Sequence, residues 1–102
     1  MSEIQAARTL YILTSYSDAL AVFSHEGLFD DKEFCDKHMN ERQSRNPGLR
    51  FTIDTVQIPI QEMATEFCII SRNGTIKGVA SIDHPVSNGY QSKIMTVNQP
   101  VY

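Results

Sequence analysis

Hydrophobic and polar positions along the chain sort into short alternating or apolar runs and one longer helical segment. Residues 9–14 (Thr-Leu-Tyr-Ile-Leu-Thr) are β-branched, aromatic and uncharged, which suits a central strand. Ser15, Tyr16, Ser17 and Asp18 follow with turn chemistry, and Ala19 to Phe23 is a second apolar run of strand length. The pattern predicts a hairpin.

A helix is predicted from Asp30. Its carboxylate can accept from the free amides of the first turn, and Glu33 three residues later completes a capping box. Phe29 and Phe34 flank the start at staple spacing. Acids fill the first half and Arg42 and Arg45 the last turns, matching the helix dipole. Glu33 with Lys37, and Glu41 with Arg45, stand at the i,i+4 spacing of favourable pairs. Asn46-Pro47-Gly48 ends the segment. The buried stripe is narrow: Phe34, Cys35, His38 and Met39, with Arg42 at its rim.

The second half reads as strands. Residues 50–58 alternate, but Phe51 and Ile53 fall in one phase and Val56 and Ile58 in the other. A bulge near Asp54 and Thr55, or a strand covered on both faces, accounts for the slip. Pro59 ends this ladder or marks a sheet edge. Residues 66–71 and 76–82 flank Asn73-Gly74, the strongest short hairpin signal. Residues 83–89 form a loop and 91–97 a last strand. The expected fold is therefore α+β, with residues 1–102 as a single domain. It has an antiparallel or mixed sheet of about five to six strands, one helix packed on one face, and the order β-β-α-β-β-β-β.

The opening also resembles a known group. Tyr11-Ile12-Leu13, then Leu20 to Ser24, the helix from Asp30, and Phe51 to Asp54 are similar to short uncharacterised phage and bacterial proteins. Those proteins share a strand-strand-helix-strand opening. The resemblance implies a fold and a phage or bacterial origin, and it carries no functional residues.

Charge and cysteine content narrow the function. With 9 Lys and Arg against 12 Asp and Glu, the net charge is −3, and no basic face stands out for nucleic acid. No stretch approaches the ~20 apolar residues of a membrane span. The two cysteines, Cys35 and Cys68, lie in apolar segments and read as reduced, buried thiols. The N-terminus lacks the bases and apolar core of a signal peptide, so the expected compartment is the cytoplasm.

No catalytic grouping, cofactor motif or metal site is legible. His25, His38 and His84 are scattered, and no pair has zinc-ligand spacing. Cys35 and His38 share a helix face, but packing explains both, and burial would raise rather than lower a thiol pKa. Asp83, His84 and Asn88 in the loop, with Tyr16 near the first turn, are the candidate ligand- or partner-binding residues.

One helix leaves much of a six-stranded sheet uncovered, so the remaining apolar surface must meet another molecule or the sheet must curl on itself, and a homodimer is expected. The leading functional expectation is a small interaction or regulatory module that binds a host or other partner protein. The alternative is a small-molecule or nucleotide binder with its site at a subunit interface. A hydrolase or isomerase using one of the three histidines ranks third.

Overall fold

The computed structural model describes residues 7–59, 65–80 and 89–98. Strand β1 (Ala7–Ser17) and β2 (Val22–Phe29) precede helix α1 (Lys32–Arg45), which is followed by β3 (Leu49–Pro59), β4 (Glu66–Arg72), β5 (Thr75–Ala80) and β6 (Gln91–Asn98). The fold is thus α+β, the described residues forming one helix and six strands in a curled mixed sheet of order β3-β1-β2-β6-β4-β5.

The sheet has two antiparallel halves, β3-β1-β2 and β6-β4-β5. They join through a short parallel contact, Leu28 opposite Val97 and Phe29 opposite Asn98. Curling brings one face of each half together. Leu10, Ile12, Leu28 and Ile58 from the first half share a buried cluster with Phe67, Ile69, Met95 and Val97 from the second. Of the two ways to cover the sheet surface left by the helix, curling is the one seen here: the second half of the chain covers the first. On the other face, Leu13, Phe29 and Cys35 form a second cluster, against which Phe34, Met39, Phe51 and Ile53 lie.

The phase slip in β3 has its explanation in these two clusters. β3 pairs with β1 in unbroken register, so there is no bulge at Asp54. Phe51 and Ile53 serve one cluster and Val56 serves the other, so the strand is covered on both faces. The bulges lie elsewhere. One falls opposite Leu13 and Thr14, which pair with Gly27 and His25 and leave Glu26 as the extra residue. The other falls between Ile70 and Ser71.

Several boundaries move. The segment expected to turn at Ser15 to Asp18 is strand as far as Ser17, because Tyr16 and Ser17 still pair with Phe23 and Val22. The turn follows at residues 18–21, with Ala21 in the left-handed region at φ 53° and the Leu20 amide donating to Ser17 Oγ. β2 accordingly starts late and runs through Phe29, and this delays the helix by one residue. Asp31, not Asp30, is the N-cap, and its carboxylate accepts from the Phe34 amide at 3.1 Å. The edge-on contact of Phe29 with Phe34 survives at 5.7 Å between ring centroids. The helix pairs Lys32 with Asp36 and Glu41 with Arg45, rather than Glu33 with Lys37. The Asn73-Gly74 turn is where the dipeptide predicts it, with φ 52° and 80°, as a primed hairpin turn requires.

Candidate functional site

The bulge at Glu26 determines which way its neighbours face. Without it, Glu26 would follow Leu28 into the strand-lined core. With it, Glu26 reaches the helix side, where its carboxylate accepts from Arg42 Nη2 at 2.6 Å and from Ser15 Oγ at 2.8 Å. His25 then points the other way. Its Nδ1 lies 3.0 Å from Thr14 Oγ1 and its Nε2 lies 3.0 Å from Ser71 Oγ. Re-aiming a side chain is a recognised use of bulges.

His25 is thereby held between two hydroxyls, one on β1 and one on β4. His25 is 9 % exposed, Thr14 and Ser71 each 2 %. Burial lowers the His25 pKa below 6.5, the nearby Lys93 ammonium lowers it further, and Asp54 partly opposes them. Near neutral pH the ring is therefore uncharged and can both donate and accept, which suits two hydroxyl neighbours.

Above this bridge the sheet is split. Among the described residues β2 and β6 pair at Leu28 with Val97 and Phe29 with Asn98, and no ladder joins them from there toward Val22 and Gln91. Lys93 spans the opening, and its ammonium donates to the His25 carbonyl at 2.8 Å. The bond gives the His25 carbonyl a partner where β2 and β6 share no ladder. The resulting cleft measures about 450 Å³. It is lined by Phe23, Ser24 and His25 of β2, Ser71 of β4, and Gln91, Ser92 and Lys93 of β6. That volume lies within the ~300–1,000 Å³ usual for small-molecule sites.

The lining has a definite chemical character. Among the described residues it carries one formal charge, the Lys93 ammonium, and no carboxylate. Ser24, Ser71, Ser92 and Gln91 add neutral donors, and Phe23 supplies an apolar wall. The Phe23 ring is itself fixed on two sides. It lies 4.5 Å from the Tyr16 ring centroid and against the Gly74 backbone of the β4–β5 turn, where a Cβ would come within 2.2 Å of it.

The candidates from sequence divide. Tyr16 supports the Phe23 wall and is not itself among the lining residues. Asp83, His84 and Asn88 lie outside the described residues. His38 is apart from the cleft, its ring 5.3 Å from Phe29. Cys35 is fully buried in the helix-side cluster, and burial above all, with Asp36 adding, pushes its thiol up to about 11. Among the described residues no three His, Cys, Asp or Glu side chains gather as a metal site would need.

Ser71, Gln91 and Lys93 escaped the sequence reading, although a signal existed. Phe67, Ile69 and Ser71 share one face of β4, and Gln91, Lys93, Met95 and Val97 share one face of β6. Both faces turn polar at the same end, Ser71 opposite Gln91. Alternation shows that change of polarity within each strand, but only the register joins the two polar ends.

No helix among the described residues is long and apolar enough to cross a membrane. Comparison of the chain with protein-family models, curated proteins and solved structures gives no match.

Proposed function

We propose that this protein is a small binding module that takes a compact oxyanion-bearing ligand, a carboxylate or phosphate on a small organic body, in the cleft between β2 and β6. One observation carries this reading: the cleft is lined by an ammonium, hydroxyls and an amide, with no acid among its described residues. An anion there meets donors from β2, β4 and β6, while Phe23 offers an apolar surface to the rest of the ligand. In this reading α1 serves as cover for the β1–β3 side of the sheet, and the bonds from Arg42 and Ser15 to Glu26 fix the bulge that aims His25.

A second reading, a module that binds a partner protein, draws support from the β1–β2 turn. Leu20 is 75 % exposed, and Val22 and Phe23 are about half exposed beside it.

Thermal unfolding in the presence of inorganic phosphate, acetate and a nucleoside monophosphate, against chloride at equal ionic strength, tests the first reading. Native-state binding raises the midpoint by mass action. The reading expects a concentration-dependent rise with at least one oxyanion and its loss in Lys93→Gln. Identical midpoints in all four salts at millimolar concentration would remove it. A rise retained by Lys93→Gln would place the anion elsewhere.

A further inference from the structure

The edge of the sheet has a charge pattern that the cleft does not use. β3 is a terminal strand of 11 residues, paired with β1 along its length, and its other edge has no strand neighbour among the described residues. Long edges invite pairing with another chain, and charges along them discourage it in most registers. Here Arg50, Thr52 and Asp54 alternate onto one face of β3, and Phe51 and Ile53 onto the other. Thr52 and Arg50 are exposed, while Phe51, Ile53 and Asp54 are half-buried.

We propose that β3 is the interface of a homodimer in which two copies pair antiparallel about Thr52. Thr52 then faces the partner subunit's Thr52, and Arg50 faces the partner subunit's Asp54 on both sides of the two-fold axis. Phe51 meets the partner subunit's Ile53 on the opposite face, extending the helix-side clusters into each other. Directly opposed residues in an antiparallel pair share a face, so each of these contacts is one the pleat permits.

Charge selects this register over its neighbours. Moving the axis to Asp54 would oppose two carboxylates, and moving it to Ile53 or Thr55 leaves Arg50 and Asp54 opposite neutral residues. Charges that repel unselected partners become attractive in one arrangement, which is how a protected edge acquires specificity. Arg50 already holds Asp18 at 3.0 Å, but both side chains are mostly exposed. A pair of that kind is weak, and the guanidinium has donors to spare for a second carboxylate.

The test is light scattering coupled to gel filtration on the full chain at high-micromolar concentration. The wild type is expected to be a dimer. Arg50→Asp and Asp54→Arg each oppose like charges and are expected to weaken it roughly tenfold or more. The double exchange R50D/D54R restores the opposite signs and is expected to recover the dimer. Thr52→Lys, at an exposed position with little bearing on folding, places two ammonium groups on the axis and is expected to dissociate it. A monomeric wild type would overturn the proposal. So would a dimer that withstands both Thr52→Lys and Arg50→Asp.

Discussion

The His25 imidazole and the Ser71 hydroxyl lie 3.0 Å apart, although 46 residues separate them along the chain. Their bond ties β2 of one half-sheet to β4 of the other just where the halves have no shared ladder. The same ring holds Thr14, so three strands meet at one side chain. The first prediction concerns this junction. His25→Ala leaves two buried hydroxyls unpaired and removes a buried ring, and should cost about 2–4 kcal/mol. Ser71→Ala alone should cost about 1–2 kcal/mol. Urea denaturation of the two single variants and the double variant checks this. The account expects a sum that exceeds the double-variant loss, because the residues share a bond.

The protonation of His25 gives the second prediction. Its folded-state pKa lies below 6.5, whereas the unfolded chain titrates near that ordinary value. Between the two values the unfolded state binds more protons, so the folded state loses stability as pH falls below 6.5. Above it the full contribution is present. Denaturant midpoints measured from neutral pH down through this window should fall in the wild type. They should fall less steeply in His25→Asn.

Two glycines lie beneath aromatic rings, and substitution there should be costly. Gly74 has φ 80°, and a Cβ would come within 2.2 Å of the Phe23 ring. At Gly27 an added Cβ would stand 2.6 Å from the fully buried Phe29 ring. Gly74→Ala should cost about 1–3 kcal/mol, combining backbone strain with the clash. Truncating Phe23 to Ala in the same chain relieves the clash and leaves the strain, so calorimetry on G74A with and without F23A separates the parts. Gly27→Ala should lower the midpoint whether or not Phe23 is present.

Cys35 supplies a chemical prediction. Its thiol is pushed up to about 11 and has no exposed surface, so it holds little thiolate near neutral pH. Alkylation of the folded protein by iodoacetamide should leave Cys35 unmodified for as long as the chain stays folded, and denaturant should release it. Rapid native modification of Cys35, read by peptide mass, would contradict its placement against Leu13 and Phe29.

Much of the fold is legible in the residues because its signals are local. Asn73-Gly74 fixes a hairpin through backbone conformation alone, and the capping acids with the closing Asn46-Pro47-Gly48 bound the helix to within one residue. The β1–β2 turn lies later than its chemistry suggests, because Ser15 to Ser17 have turn chemistry yet take strand pairing once Phe51 and Phe23 flank them. Tertiary pairing overrides that local preference. The polar ends of β4 and β6 are legible in their alternation, but the cleft they help to line is not. It depends on a bulge at Glu26, on a parallel contact just two pairs long, and on Ser71 meeting His25, and each of these is a register between distant segments. Lys93 alone looks like a solvated strand lysine. It becomes a cleft residue because β2 and β6 share no ladder around it.

Oxyanion binding between β2 and β6 can be followed residue by residue through amide chemical shifts while the isotope-labelled protein is titrated with inorganic phosphate. Saturable shifts are expected at Ser24, His25, Ser71, Ser92 and Lys93, with little change along α1 and β3, and they should vanish in Lys93→Gln. Shifts that never saturate, or that gather on the helix while the cleft residues stay still, would contradict it.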